Sequence, residues 1–223
     1  MIHEDTPLAS PRVLVILGST RKGRVCPKVA AWVVEVGREA TDASFEIVDL
    51  RDWPLPFFAE NTATVGDPAN PTYSQPVVRD WNHKMADADA ILIVTPEYNH
   101  SVPAVLKNAL DSVFVSFALR NKPAGYVGYS GGHTGGARAV EHLAQICFEA
   151  EMMPLRDVVL VPAVHQAFDA DGRPMDPALD ARLVVLLDDL EWWGALLKGA
   201  RPTQLPPGKI RVSKAMAKKP PTS

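Results

Sequence analysis

Two stretches of this chain, Arg12-Val-Leu-Val-Ile-Leu17 and Ala90-Ile-Leu-Ile-Val-Thr95, run apolar without the alternation that marks a strand wet on one face. Strands of that kind must be covered on both sides, and the segments between them supply the cover. Val25, Val29, Trp32, Val33 and Val36 recur at the spacing of one helix face, with Pro27 tolerated in its first turn. Phe45–Leu50 reads as a second short strand. A helix over Gln75–Ala88 turns Val77, Trp81 and Met85 inward, and Pro103 opens another at its first position, running through Leu106 and Leu110. Ala124–Tyr129 reads as a strand, Ala137 to about Met152 as a helix, and Val158–Val161 as a fifth strand. A last helix from Pro177 to about Lys198 aligns Leu179, Leu183, Leu186, Leu187, Leu190, Trp193 and Leu197.

Strands and helices alternate throughout, which predicts a doubly wound, five-stranded parallel sheet in a three-layer α/β/α arrangement. Five strands in that alternation suit the flavodoxin-like order. With 223 residues, 47% of them hydrophobic, the chain can bury one sizeable core. The expected organisation is an N-terminal tail over residues 1–11, one domain over 12–200, and a basic, Pro-rich tail over 201–223. That tail holds six Lys or Arg and no acid, leaving −9 on the remainder of a chain whose net charge is −3. Such a balance argues against a dedicated nucleic-acid binder.

Proline is in excess, 20 residues against 14 glycines. Five of these (Pro54, Pro56, Pro68, Pro71 and Pro76) fall between Arg51 and Asn82, where the stretch Arg51–Tyr73 shows no period and reads as a stiff surface excursion. The only cysteines, Cys26 and Cys147, are too few and too far apart for a disulfide framework and suit a reducing compartment. No apolar run reaches the roughly 18 residues of a membrane span, and the opening residues lack a signal-peptide layout. The expectation is a cytoplasmic protein.

In a doubly wound sheet, ligands bind beyond the carboxyl ends of the strands. Three such ends carry unusual chemistry. Gly18-Ser-Thr-Arg-Lys-Gly-Arg-Val25 sets hydroxyls, two arginines and a lysine before a helix N-terminus, an arrangement that favours an anion such as phosphate. Its Gly18-x4-Gly23 spacing half-matches a nucleotide P-loop, but Arg24 and Val25 stand where that motif needs Lys and Ser or Thr. Thr95-Pro-Glu-Tyr-Asn-His-Ser-Val-Pro103 offers an aromatic, an amide and a carboxylate in a stiff turn suited to a flat heterocycle. Tyr129-Ser-Gly-Gly-His-Thr-Gly-Gly136 lets the backbone approach a ligand and donate N–H groups.

One rival chemistry sits in that third loop. Gly128-Tyr-Ser130-Gly-Gly132 satisfies the nucleophile-elbow pattern, and Asp157 and His165 follow in the order of a serine-hydrolase triad. The oxyanion loop of that class is missing. The six histidines form no H-x-H or HExxH pairing, so no metal site is expected.

Thr95-Pro-Glu-Tyr-Asn-His-Ser-Val-Pro-Ala-Val-Leu-Lys-Asn-Ala-Leu-Asp111, together with Gly18-Ser-x-Arg21 and the run from Ser130-Gly-Gly to Gly135-Gly-Ala-Arg-Ala139, resembles the NAD(P)H-dependent FMN reductase family. That family also includes azo, quinone and chromate reductases. The resemblance implies that Ser19, Arg21 and groups nearby at Arg24, Val25 and Cys26 hold the FMN phosphate. Many members have Ser and Asn where this chain has Arg24 and Cys26. It further implies that Pro96, Glu97, Tyr98 and Asn99 line one side of the isoalloxazine, and Ser130, Gly131 and Gly132 the other. The implied activity is ping-pong hydride transfer from NADPH or NADH to FMN and on to a small acceptor: free flavin, a quinone or an azo compound. No side chain is expected to act as nucleophile or base. A homodimer or homotetramer is implied, with no nucleic-acid or membrane partner. A flavodoxin-like electron carrier without nicotinamide turnover is the alternative.

Overall fold

The computed structural model of the chain describes residues 8–67 and 71–201. Pro68, the first seven residues and the basic tail beyond Arg201 lie outside them. The elements in chain order are β1 (Arg12–Leu17), α1 (Cys26–Ala40), β2 (Ser44–Asp49), α2 (Thr62–Val65), α3 (Pro76–Ala86), β3 (Ala90–Pro96) and α4 (Ala104–Asp111). They continue with β4 (Pro123–Tyr129), α5 (Ala137–Glu149), β5 (Met153–Pro154), β6 (Val159–Val161) and α6 (Ala178–Ala200).

All strand pairings are parallel, in the order β2-β1-β3-β4-β5, with β6 also paired to β4. β3 and β4 are buried along their whole length. Two hydrophobic layers sandwich the sheet. One joins Val13, Val15 and Leu92 to α1 and α6 through Val29, Val33, Leu183 and Leu187, and the other joins Leu14, Ile16 and Ile91 to Trp81, Leu106 and Leu143. Alternate residues of each strand feed opposite layers, as period-two geometry requires.

Several details depart from the expectation. The fifth strand is split, giving six strands. Four residues, Leu155–Val158, oppose Gly125 and Tyr126 between the two stretches that pair with β4, so the ladder bulges before resuming at Val127 opposite Val159. In α3 the residue buried beside Trp81 and Met85 is Val78, at i, i+3, i+7 spacing, while Val77 is only partly buried and packs toward Val65 and Tyr73. Pro103 is the N-cap of α4 rather than its first helical residue.

The Pro-rich excursion is less irregular than its composition implies. Asn61 caps α2 with a reciprocal capping box, and Val65, Tyr73, Val78 and Val115 form a small apolar cluster of their own. The Asn108 side chain of α4 accepts the Phe58 N–H at 2.9 Å and donates to the Pro56 carbonyl at 2.9 Å, stapling the excursion to the domain. Arg201, expected as the first residue of a loose tail, is anchored. Its guanidinium bonds the Asp89 carboxylate and the Asp89 and Asn121 carbonyls.

Candidate functional site

The chain leaves β1 toward β2 on one side and returns through β3 on the other, so the strand order reverses between β1 and β3. A crevice opens at such a point beyond the carboxyl ends of the strands. Here it is a cleft of about 250 Å³ lined by Arg21–Val25 after β1, Pro96–Tyr98 after β3, Tyr129–Gly131 after β4, and Val164 and His165 after β6.

The first loop can lie against β3 because Gly18 has no side chain. A Cβ there would sit 2.9 Å from Leu106, and the Gly18 N–H bonds the Val94 carbonyl at 2.9 Å. Two arginines then fix its backbone. Arg24 donates to the Ser19 carbonyl at 2.6 Å and grips both oxygens of Asp49 at the end of β2. Arg51 reaches the carbonyls of Thr20 and Arg21. Burial works against the Asp49 charge, but the bonds from Arg24 and the Arg51 N–H outweigh it and hold that carboxyl below its usual range. Arg24 is thus committed inward, its side chain only 6% exposed. The exposed cations of this loop are Arg21 and Lys22.

Ser19 is fully buried and its hydroxyl lies 2.7 Å from that of Tyr98, while the Arg21 guanidinium sits over the Tyr98 ring at 4.9 Å. Tyr98 therefore ties the second loop to the first. Tyr98 and Ser101 exchange two backbone bonds across Asn99 (φ 50°) and His100 (φ 65°), a tight hairpin whose tip exposes both. Glu97, expected along the ligand wall, spends its carboxylate on Arg138. It accepts Nε at 2.6 Å and the Arg138 backbone N–H at 3.2 Å in the first turn of α5. Burial pushes the Glu97 carboxyl up, and the Arg138 bonds more than reverse this, leaving it below its ordinary value.

The third loop turns sharply into α5 at Gly136 (φ 90°), where a Cβ would lie 2.5 Å from the Tyr129 nitrogen. The loop after β6 is laced to it: Ser130 N–H to Val161, Val164 N–H to Ser130, and Ala163 N–H to Gly132. That lacing brings Val164 and His165 into the cleft. Val164 is not signalled by any motif, and His165 is legible only as the histidine of the rival triad, although the strand-end rule applied to the fifth strand points to both. The serine-hydrolase constellation is not assembled. Ser130 Oγ donates to the Gly132 carbonyl at 3.0 Å and lies near Thr134, while Asp157 pairs with Arg156.

Of the residues expected at the site, Arg21, Arg24, Val25, Pro96, Glu97, Tyr98, Ser130 and Gly131 line the cleft. Ser19 and Cys26 are buried, the Cys26 thiol donating to the Ser19 carbonyl at 3.6 Å, and Asn99 and Gly132 lie exposed on their loops. Two lining residues carry buried polar atoms without a hydrogen-bond partner: Arg24 Nε and the Tyr129 hydroxyl. Buried donors left open in a cationic cleft are what an oxyanion would satisfy.

The profile of the NADPH-dependent FMN reductase family matches residues 11–166, a span that takes in every loop of this cleft. The chain belongs to that family. Within it, the reductase is 34% identical over 191 residues to an NAD(P)H-dependent FMN reductase of Pseudomonas aeruginosa, covering 84% of this chain and 97% of that one. It is 42% identical over 137 residues to an NAD(P)H-dependent FMN reductase of Schizosaccharomyces pombe, covering 60% of this chain and 66% of that one. Its fold matches FerB, an NAD(P)H:(acceptor) oxidoreductase of Paracoccus denitrificans, with a TM-score of 0.66 at 24% identity, over 82% of this chain and 97% of that one.

Proposed function

We propose that this reductase binds FMN in the cleft between its first three strand-end loops and turns over NAD(P)H against a small electron acceptor. One observation carries the reading. The N-terminus of α1, where Val25 supplies no side-chain cap, and the exposed Arg21 and Lys22 stand at one end of a cleft walled by Pro96–Tyr98 and Ser130–Gly131. A phosphate at the cationic end and a flat ring between the walls satisfy both halves.

When bound, FMN would supply the redox chemistry that links NAD(P)H to the acceptor. The chain's own residues bind and orient. Arg21 and Lys22 neutralise the phosphate, Arg24 and Arg51 hold the loop that carries it, and Pro96 and Tyr98 supply one wall. Glu97 and Arg138 fix the second loop against the third, so the wall at Ser130–Gly131 keeps its distance. Backbone N–H groups of the exposed Asn99 and Gly131 would donate to the ring edge where negative charge develops. No side chain need move a proton for this cycle.

The acceptor is small: a quinone, an azo compound or free flavin. The reductase functions as a homodimer or homotetramer. Supporting that is an apolar groove between α4 and α5, lined by Leu110, Phe114 and Ile146, with Phe114 half exposed. A cytoplasmic location suits its two free, buried cysteines. No helix among the described residues is long and apolar enough to cross a membrane.

The test is an FMN titration of the purified protein, followed by anaerobic addition of NADPH or NADH. Uptake of FMN and bleaching by a nicotinamide are expected. Protein that takes up no FMN would sink the reading, and bound FMN that neither nicotinamide bleaches would mean an electron carrier instead.

A further inference from the structure

By resemblance, the phosphate contacts are expected on the first loop. In the structure that loop spends much of its polar capacity on itself: Arg24 on Asp49 and the Ser19 carbonyl, the Cys26 thiol on the same carbonyl, and the Ser19 hydroxyl on Tyr98. A buried hydroxyl left open comes from another strand. Tyr129, the last residue of β4, points to the α1 side of the sheet and packs in the layer that holds Cys26 and Val29. It is 4% exposed and lines the cleft, and its hydroxyl makes no hydrogen bond of full geometry, only a loose contact with Cys26. That hydroxyl lies against the thiol and main chain of Cys26, the first residue of α1.

A buried hydroxyl without a full hydrogen bond costs stability. A hydroxyl at an uncapped helix N-terminus, facing a cleft that also carries Arg21 and Lys22, has an evident guest. Burial first, and the neighbouring Cys26 thiol second, hold the Tyr129 phenol well above its usual range. It therefore stays neutral at any working pH and donates, where a phenolate would repel an anion.

We propose that the Tyr129 hydroxyl is a phosphate ligand of this reductase, donating a hydrogen bond to the phosphate monoester of FMN from the sheet side, opposite Arg21 and Lys22. The assignment rests on the FMN reading of the cleft. It makes Tyr129 a determinant of discrimination between FMN and riboflavin, which share the ring system and differ in the phosphate.

The experiment measures the affinity of the full chain and of its Tyr129→Phe variant for FMN and riboflavin by quenching of flavin fluorescence. It also measures thermal melting of both proteins without flavin. A hydrogen bond to a charged partner is worth about 10-fold to 100-fold in affinity. The variant is expected to lose about that factor for FMN and to keep riboflavin affinity within about twofold. Without flavin it should melt close to wild type, since the deleted hydroxyl makes only a loose contact with Cys26 there. Three outcomes overturn the assignment: unchanged FMN affinity in the variant, equal losses for FMN and riboflavin, or a clearly lower melting temperature without flavin. Wild-type protein that binds neither flavin would overturn the cofactor reading and this assignment with it, and is distinct from the other three.

Discussion

Glu97 and Arg138, 41 residues apart in the chain, form a clamp between the loop after β3 and the first turn of α5. The carboxylate side is 5% exposed and the guanidinium side 38%, so the pair is half shielded from water. Its importance is geometric. Pro96 and Tyr98 on one wall of the cleft and Ser130 and Gly131 on the other belong to the two loops that it joins.

Glu97→Gln should therefore loosen both walls at once. Removing one partner of a buried pair is costly, but solvent at Arg138 reduces that cost to about 1–3 kcal/mol. FMN affinity should fall in parallel, since ring and wall no longer hold a fixed spacing. Because Glu97 is held below its ordinary 4.5, its stabilisation is full above that pH and is lost as pH falls through the folded value. Urea unfolding at neutral and acid pH checks this: the gap between wild type and variant should close toward low pH.

Lys122 should govern stability at the other end of the scale. It is 3% exposed, and its ammonium donates to the carbonyls of Met85 at 2.5 Å and Ala86 at 2.8 Å, capping α3. Burial first, and Arg201 second, push it down to about 7 from an ordinary 10.5. Between those values the unfolded chain holds a proton that the folded chain has released. Stability should thus rise with pH across that window, by up to about 1.4 kcal/mol per unit, and the effect should vanish below it. Unfolding of Lys122→Met at a series of pH values should show that rise removed; an identical slope in both proteins would contradict it.

Gly136→Ala should be among the most damaging single-methyl additions in the chain. At φ 90° the new Cβ would meet the Tyr129 backbone at 2.5 Å, and backbone cannot swing aside as a side chain does. A loss of more than about 3 kcal/mol is expected. Gly66→Ala, also at positive φ (74°) but facing open space, should cost about 1 kcal/mol. Comparing their melting temperatures separates collision from backbone preference.

Phe114→Asp should leave the domain folded and disturb assembly. The ring is 50% exposed beside Leu110 and Ile146, so the charge meets water in the monomer and an apolar partner surface in an oligomer. Light scattering after gel filtration should report a shift toward monomer, with the circular dichroism unchanged.

The chain's own pattern was enough to determine its layers and the place of its site. Apolar runs such as Ala90–Val94 have no stable home except a strand covered on both faces, and β4 through α6 follow from the same period. Strand-end loops rich in Gly and Arg then identify the binding edge, because ligands in this topology can approach only there. Tertiary structure alone decided where the side chains of those loops point. Periodicity reports which face of an element is buried, not which partner a long polar side chain meets after the chain closes on itself. Arg24 could not be read as serving Asp49, 25 residues on, nor Glu97 as serving Arg138. The split fifth strand, the entry of His165 into the cleft and the open hydroxyl of Tyr129 all arise from contacts between segments distant in sequence. Such contacts exist only once packing has set distances to within an ångström, a scale at which hydrogen bonds form or fail.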